Sequence, residues 1–442
     1  MAKTYLSIIF IVITLFSFSQ EEVKEFSLEN AITYGVKNND NFKNVKLDEE
    51  IRIQVTKENV AVGMPQIKAK FDYNYAFKQQ ISIIPSGSFG PMQTEPQEVI
   101  FSQPHNAVAS IEASQLIFDS RYFYGLKASK DIKSIASLNT QLNKANLEKE
   151  IALAYYAVLV TTNSIEKLEE NNITISKLLE ETKEIYKEGF VDELSVNRLE
   201  LNLSNLTTSI NNTKVNLENA KLNLKYIIGF PLKEELLLSD DMEILLSATN
   251  TEISNEGNVE DRVEMQMMKA QNRLNTLNVK QTLSNYFPNM YLYANYGTKA
   301  QRDEFNIFND GRWFQQGSVG ILLNVPVFDG LKHHYQAQQH KLTVQKTKND
   351  IEKFEKTYNF QISSLKNQLI EAQNQLEAQK ENKALSERIF GKTNIMFKEG
   401  IGSSFELSQA QTAVTTSQIN YSVAIYNLIV ARYNLKSALK NN

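Results

Sequence analysis

The side chains that could carry out chemistry are few in this chain of 442 residues. It contains no cysteine and four histidines, which removes thiolate nucleophiles, disulfides and cysteine-based zinc sites. His333, His334 and His340 are close in sequence, but adjacent histidines on a helix point about 100° apart, and none has a His or Glu partner four residues away. We therefore expect these histidines at the surface and no metal site.

Other catalytic patterns are also missing from the sequence. It has no phosphate-binding glycine loop, no Ser/His/Asp arrangement and no convincing pair of carboxylates. We therefore predict a protein that is not an enzyme and that uses no cofactor. An exported hydrolase is one alternative, but it lacks a candidate nucleophile.

The overall composition excludes further classes. Lys and Arg number 47 against 51 Asp and Glu, a net charge of -4, whereas a nucleic-acid partner requires a clustered basic surface. Eight prolines and sixteen glycines are few for this length and predict long, uninterrupted helices.

The N-terminus resembles a secretory signal. Lys3 precedes an apolar run from Leu6 to Phe18, and Ser17 and Ser19 provide a small-x-small cleavage pattern before Gln20. Thirteen residues cover only about 20 Å of helix, so a retained membrane anchor is the weaker alternative. Because no later stretch reaches eighteen apolar residues, we expect an exported chain that is either soluble or a β-barrel.

The chain is an internal duplication of about two hundred residues. Tyr186-Lys-Glu-Gly189 matches Phe397-Lys-Glu-Gly400 at an offset of 211, and Ile117-Phe-Asp119 matches Val327-Phe-Asp329 at almost the same offset. Each half has the order helix, strand, loop, strand, long helix, turn, long helix. The predicted segments are a signal peptide 1–19, an N-terminal segment with the first helix 20–65, a first strand pair 66–118 with outer loop 79–105, a first helical hairpin 119–228, a polar insert 229–258 that forms an equatorial collar, a helix 259–287, a second strand pair 288–328 with outer loop 299–315, and a second helical hairpin with the C-terminus 329–442.

The long helices show a heptad seam. Its first-repeat positions are Ile151, Ala154, Val158, Ile165, Leu168, Ile175, Leu179 and Tyr186, and its second-repeat positions are Tyr358, Ile362, Leu365, Leu369, Ala372 and Leu376. This spacing predicts left-handed supercoiled packing of rods about 100 Å long. Each rod ends at a Lys-Glu-Gly, where glycine can adopt the left-handed conformation that stops a helix.

The strands alternate between an apolar and a polar face. We predict that the apolar face contacts lipid, at Phe71, Tyr73, Tyr75, Phe77, Ile321 and Leu323, and that the polar face lines a water-filled lumen, at Lys68, Lys70, Asp72 and Glu112. An ordinary sandwich core would show the same alternation, but it needs a second sheet. Residues 289–298 carry Tyr on both faces and leave their orientation open.

Four strands are too few to close a membrane barrel, and an open edge in lipid leaves backbone groups unpaired. The strands must therefore be shared among copies of the chain. Two copies would make eight strands and a filled bore, and three would make twelve and an open channel. The sequence favours a trimer.

These features together resemble the TolC-like family of outer-membrane efflux proteins. The resemblance rests on the duplicated order, the Phe-Asp pairs, the Lys-Glu-Gly tips, Tyr226-Ile-Ile-Gly-Phe-Pro231 and Arg432-Tyr-Asn-Leu435. It implies a mainly α-helical protein with a membrane β part, a trimeric 12-stranded β-barrel in the outer membrane continued by a long α-helical barrel in the periplasm. It also implies a passive exit duct for tripartite efflux or type I secretion, with a periplasmic adaptor and an inner-membrane transporter as partners.

The resemblance also implies a gate at the hairpin tips. Aligning the tip glycines places Glu406 and Gln409 on the family's acidic-ring positions. The family's lock of tyrosine, arginine and aspartate is replaced by Phe397, Gly402 and Ser195, so the lock is absent. Asp192 and Glu193 are nearby substitutes for the ring, although each of these carboxylates could simply stabilise a helix start through the dipole.

We predict adaptor docking at the hairpin tips, through Lys187, Glu188, Gly189, Lys398, Glu399 and Gly400. Two questions remain open from the sequence alone. A secreted coiled-coil structural or adhesive protein without a pore is the rival reading, and the nature of the transported substrate is beyond the sequence.

Overall fold

The computed structural model describes residues 25–86, 88, 95–241, 257–309 and 311–439. The predicted signal peptide 1–19, part of the insert and part of the first outer loop lie outside these residues. The chain forms two compact units. The helical unit takes its described residues from 1–48, 138–266 and 352–442, and the sheet unit takes them from 49–137 and 267–351.

The helices repeat in length as well as in order. A helix of 68 residues followed by one of 36 in the first repeat corresponds to helices of 67 and 36 residues in the second. The helices are α1 Leu28–Asn38, α2 Asp40–Ala61, α3 Ser120–Lys187, α4 Glu193–Ile228, α5 Val263–Leu283, α6 Lys332–Lys398 and α7 Ser404–Leu439. Among the described residues, none of the helices combines the length and the hydropathy needed to cross a membrane.

The strands form one larger sheet and two small pairs. They are β1 Glu25–Phe26, β2 Gln66–Tyr75, β3 Ser82–Ile84, β4 Gln97–Val99, β5 His105–Asp119, β6 Leu237–Leu238, β7 Asn289–Arg302 and β8 Phe314–Asn324. The main sheet is antiparallel with the order β2-β5-β7-β8. The predicted mainly α-helical fold with strand-strand-hairpin halves is confirmed. The strand β7 continues to Arg302, beyond the start of the segment predicted as an outer loop.

The Phe-Asp pairs mark the change from strand to helix. The Asp119 carboxylate accepts hydrogen bonds from the backbone N–H (2.8 Å) and the guanidinium of Arg121. In the second repeat, Asp329 accepts from the backbone N–H groups of Leu331 (3.0 Å) and His333 (2.9 Å). Each aspartate thus satisfies amide donors that a helix start leaves unpaired, which explains why both repeats carry it.

The Tyr226–Pro231 motif ends helix α4 in the helical unit. Gly229 has φ 71 in the left-handed region, and the Phe230 N–H donates back to the Lys225 carbonyl at 2.8 Å, as in a Schellman stop. A Cβ on Gly229 would also lie 2.6 Å from the Asn38 carbonyl oxygen. Both the turn and this close approach therefore require glycine.

The core of the helical unit follows the predicted heptad seam. In the first repeat the seam is buried at Ile151, Ala154, Val158, Ile165, Leu168, Ile175 and Leu179, whereas Tyr186 is exposed. In the second repeat Tyr358 and Ala372 are buried and the other seam positions are half-buried. The buried Tyr155 hydroxyl donates to the Phe26 carbonyl at 2.8 Å and lies 2.9 Å from Asp240 Oδ2, which fixes β1 and the insert to α3.

Candidate functional site

The register of the main sheet collects apolar side chains on one face. Residues directly opposite each other across the strands share a face, and one such row contains Ile67, Ala113, Ala294 and Val319. The predicted lipid-facing residues Phe71, Tyr73, Tyr75, Ile321 and Leu323 have the same parity in their strands, so they lie on this apolar face. Most of its large side chains are exposed. Phe77 follows β2 and is also exposed.

The opposite face is polar. The neighbouring row contains Lys68, Glu112, Asn295 and Ser318, and further along the same face Gln301 donates to Asn106 at 3.0 Å. The register also settles the orientation of β7. Tyr296 lies on the apolar face, whereas Tyr293 lies on the polar face opposite Gly320.

The apolar band has the height that a membrane requires. It extends along β7 from Met290 to Ala300, eleven residues whose ten steps span about 34 Å, which a strand tilt of about 45° converts to about 24 Å along the membrane normal. Outer-membrane barrels have an apolar band about 25 Å tall bordered by aromatic residues. At one end of this band, Tyr73, Tyr75 and Phe305 surround the ring of His105. The sheet therefore has the dimensions of a membrane-spanning segment.

The two outer strands of the sheet, β2 and β8, each pair on one side only among the described residues. Their other edges expose a row of backbone donors and acceptors. Such groups have to be paired inside a bilayer, so the sheet on its own is incomplete for a membrane. The unpaired edges are those of β2 and β8, and a neighbouring copy of the chain could pair with them.

The hairpin tips depend on their glycines. Gly189 has φ 78 and Gly400 has φ 76, and their N–H groups donate to the carbonyls of Tyr186 (2.9 Å) and Phe397 (3.0 Å). A Cβ added at either glycine would have open space around it. Glycine is thus required at the tips by the left-handed backbone alone and not by crowding.

Both lysines at the hairpin tips form ion pairs. Lys187 pairs with Glu184 at 2.7 Å on its own helix, and Lys398 pairs with Glu181 of the other hairpin. Sequence reasoning missed a second property of the tips, which is that each glycine is followed by an exposed apolar residue. Phe190 is 81% exposed and Ile401 is 69% exposed. The recurrence of an apolar residue after both tip glycines was the signal that could have revealed them.

The carboxylates predicted at the gate lie at helix starts. Asp192 is the N-cap of α4 and accepts from the N–H of Ser195 at 2.9 Å and from its hydroxyl; these hydrogen bonds lower the pKa of Asp192. Glu406 and Ser403 form a capping box, in which the Ser403 N–H donates to Glu406 Oε2 at 3.3 Å and the Glu406 N–H donates to Ser403 Oγ at 3.2 Å. The helix-start role of both carboxylates is therefore present in the structure.

The remaining gate candidates differ in exposure. Glu406 and Gln409 are both exposed and lie three residues apart, on one face of α7, and Glu193 is exposed at the start of α4. Phe397 is only 5% exposed and packs in a core cluster with Leu407. Phe397 can therefore contribute to closure only as a packing contact inside the protein. Its side chain does not face a lumen.

A set of contacts between the two hairpins was not foreseen from the sequence. Arg198 of α4 donates from Nη1 to Ser404 Oγ of α7 at 3.0 Å, and its guanidinium lies 5.6 Å from the ring centre of Phe405. One turn further, Asn202 Nδ2 donates to Ser408 Oγ at 2.9 Å. We call these contacts of Arg198 and Asn202 the latch. It joins α4 to α7 next to Glu406, although it shares no residue with the family's lock.

The described residues contain no group of three or more His, Asp or Glu side chains arranged to hold a metal ion. His333 instead contacts Gln336, with 2.9 Å between Nδ1 and Oε1, and stacks edge-on against Tyr286.

Comparisons with known proteins agree with this geometry. Residues 259–440 match the family described as outer membrane efflux protein. A crystal structure of CusC, described as forming a transmembrane channel, has a TM-score of 0.74 and 12% identity over 96% of this chain and 95% of that one. The CmeC outer membrane channel of Campylobacter jejuni has a TM-score of 0.71 and 13% identity over 94% and 85%, and VceC of Vibrio cholerae has 0.70 and 12% over 93% and 95%. No curated protein sequence matches the chain significantly.

The fold is the one found in solved outer-membrane channels, and residues 259–440 match the outer membrane efflux protein family. The family match covers most of the second repeat, and the structural matches cover nearly the whole chain. Both findings agree with the resemblance of the sequence to TolC-like outer-membrane efflux proteins.

Proposed function

We propose that the chain is the outer-membrane exit duct of a tripartite efflux or type I secretion system. Substrates would pass through it from an inner-membrane transporter and a periplasmic adaptor to the outside, with no energy input from the duct itself. The proposal places the sheet in the outer membrane and the long helices in the periplasm. It is supported by the family match and by the fold shared with outer-membrane channels.

The observation that carries this proposal is the main sheet with one apolar face, one polar face and two unpaired edges. The strand β2 and the strand β8 run in opposite directions along the two edges, so β8 of one copy can add to β2 of the next as a regular antiparallel pair. Three copies then close twelve strands around a polar lumen. The coiled-coil adhesive alternative gives no reason for an apolar sheet face of membrane height.

This closure can be tested with engineered disulfides, because the natural chain has no cysteine. The apolar faces of neighbouring copies are continuous only if odd-numbered residues of β8 oppose odd-numbered residues of β2. We expect Val319→Cys combined with Phe71→Cys or with Tyr73→Cys to give covalently linked oligomers up to trimers. The linked bands would be read on denaturing gels after oxidation.

The matched control is Val319→Cys with Asp72→Cys, which differs by one residue and points to the other face, and which should stay unlinked. The native protein should also require detergent for extraction, run as a heat-resistant trimer and conduct ions in planar bilayers. Recovery of the protein as a monomer from the soluble periplasm would contradict the exit-duct proposal and favour the alternative of a secreted coiled-coil protein without a pore.

The hairpin tips are the part of the duct that we propose for adaptor docking. Lys187, Glu188, Lys398 and Glu399 offer charges to a partner hairpin, and Phe190 and Ile401 add an apolar contact at the turn of each tip. Gly189 and Gly400 hold the turns that present these side chains. The transporter is reached through the adaptor.

Replacing Gly189 or Gly400 with valine is expected to abolish efflux while trimer formation persists. A β-branched residue is strained at φ near +77, so the turn would rearrange and displace Phe190 or Ile401. Efflux would be measured as resistance of cells to an exported toxic compound. Asparagine tolerates the left-handed region, so Gly189→Asn should retain most of the efflux. Full resistance in both valine variants would count against docking at the tips.

The entrance of the duct is the second part of the proposal. Three Glu406 side chains, one from each copy, would form an acidic ring, with Gln409 next along α7 and with Asp192 and Glu193 close to the tips. The latch would hold the hairpins together in the resting state.

A further inference from the structure

The second outer loop folds onto the apolar face of the main sheet. Ile307 is buried in this loop and packs against Ala107 and Ala300. Both alanines lie on the apolar face, because Tyr73, Ala107 and Ala300 are opposite one another in the register. Phe305 of the loop also packs edge-on against Tyr73, with 5.6 Å between the ring centres. The loop therefore covers part of the face that the proposed function turns toward lipid.

Arg302 holds the loop in this position. Its place in β7 has the same parity as that of Ala300, so its side chain leaves the strand on the apolar face. The guanidinium donates to the carbonyls of Gln301 (2.9 Å) and Arg312 (3.0 Å). A Cβ on Gly311 would lie 2.5 Å from the guanidinium carbon, so the backbone of Gly311 passes directly against Arg302. The far end of the loop is thus fixed to the end of the strand from which the loop starts.

The outward surface of the loop is aromatic. Phe308 is 81% exposed and Phe305 is 64% exposed, on either side of the buried Ile307. Trp313, the one tryptophan of the chain, is half-buried in the cluster that contains Ile307. Exposed apolar patches mark interaction surfaces, and tryptophan is enriched where a membrane meets water. The loop therefore presents two phenylalanine rings for a partner outside this chain.

The position of the loop identifies this partner as lipid. The apolar band ends at Ala300, and the loop covers Ala300, so the loop lies at the outer border of the band. Outer-membrane barrels carry their aromatic residues at this depth. The sheet separates the loop from the polar face, where Gln301 and Asn106 are hydrogen-bonded, so the exposed rings do not face the lumen. A second copy of the chain is proposed to join at the edges β2 and β8, which leaves this face to the membrane.

We propose that the second outer loop is a membrane anchor, in which Phe305 and Phe308 insert among the lipids of the outer leaflet near the headgroups. This inference rests on the proposed function, because it requires the sheet to be in the outer membrane. The anchor fixes the depth of the outer mouth in the bilayer. Because the loop lies on the lipid side of the sheet, it does not cover the lumen.

The first test uses the fluorescence of a single tryptophan. Combining Trp313→Phe with Phe308→Trp moves the only indole of the chain into the loop. The protein is reconstituted into phosphatidylcholine vesicles that contain phosphatidylcholine with a nitroxide near the headgroup or near the end of the acyl chain. We expect the headgroup-proximal nitroxide to cause the larger loss of fluorescence, and acrylamide in the water to cause little. The matched control is Trp313→Phe with Phe314→Trp, because Phe314 is opposite Lys299 on the polar face, and there acrylamide should quench and the nitroxide lipids should not.

The second test leaves Trp313 in place. Phe308→Cys introduces the single thiol of the chain, and a membrane-impermeant maleimide added to intact cells should label it severalfold more slowly than Glu304→Cys, whose native side chain is charged and exposed in the same loop.

Three outcomes would overturn the anchor while a heat-resistant, conducting trimer leaves the duct in place. They are quenching by acrylamide rather than by nitroxide lipid at position 308, equal labelling of the two thiols, and a Phe308→Cys thiol that is protected in cells although the indole is open to water in vesicles, which would assign the surface to a protein partner. Failure of the native chain to form such a trimer would instead overturn the proposed function itself.

Discussion

Replacing Arg198 with alanine is expected to raise the conductance of the duct severalfold and to shift it toward a persistently open state. The change removes the hydrogen bond to Ser404 Oγ and the contact with the Phe405 ring. A hydrogen bond from a charged group contributes about 1.5 kcal/mol at the lower end of its range, so the three copies of the proposed trimer together lose about 4.5 kcal/mol. A change of this size is close to what is needed to invert a two-state population. Single-channel recording in planar bilayers measures it.

Two further variants separate the latch from a general loss of stability. Ser404→Ala removes the hydrogen-bond acceptor and should increase conductance in the same direction, and the Arg198→Ala and Ser404→Ala effects should not add in the double variant. Arg198→Lys keeps a charged donor and should keep most of the closed state. Native conductance in Arg198→Ala, with an intact heat-resistant trimer, would show that the hairpins are held closed by other contacts.

The latch could not have been predicted from the sequence. Arg198 and Ser404 are 206 residues apart and belong to different repeats, and neither residue is part of a periodic pattern. The sequence shows that the family's lock residues are missing, but only the packing of α4 on α7 shows that Arg198 and Ser404 meet. Hydrogen bonds between distant helices are decided by the rotation of each helix, which a heptad pattern defines only approximately.

Features with a local cause were predictable. The seam is encoded by a period of seven, the sheet faces by a period of two, and the tips by glycines that must adopt positive φ. The capping box also has a local signature, because Ser403-Ser-Phe-Glu406 has the spacing of a helix start, although from the sequence we assigned Glu406 only a favourable position at the helix dipole. The faces of β7 were ambiguous because it carries Tyr at positions of both parities, and only its register against β5 and β8 resolved them.

Changing Glu406 to glutamine is expected to weaken the cation selectivity of the duct and its block by divalent ions. If three Glu406 side chains surround the entrance, they form a ring of negative charge that favours cations. Glutamine can serve at the same position of a capping box, so the contact with Ser403 and the start of α7 should be preserved. The substitution therefore removes charge without removing structure, and reversal potentials in a salt gradient report the difference.

The control for this experiment is Glu399→Gln, which removes one negative charge at the same tip but not from α7, and which should leave selectivity close to native. The combination of a reduced cation preference in Glu406→Gln and an unchanged one in Glu399→Gln would assign the ring to Glu406. If Glu406→Gln conducts with native selectivity, the narrowest charged point is elsewhere. Asp192 would then be a poor choice for neutralisation, because it caps α4 through Ser195, and the exposed Glu193 would be the first residue to replace.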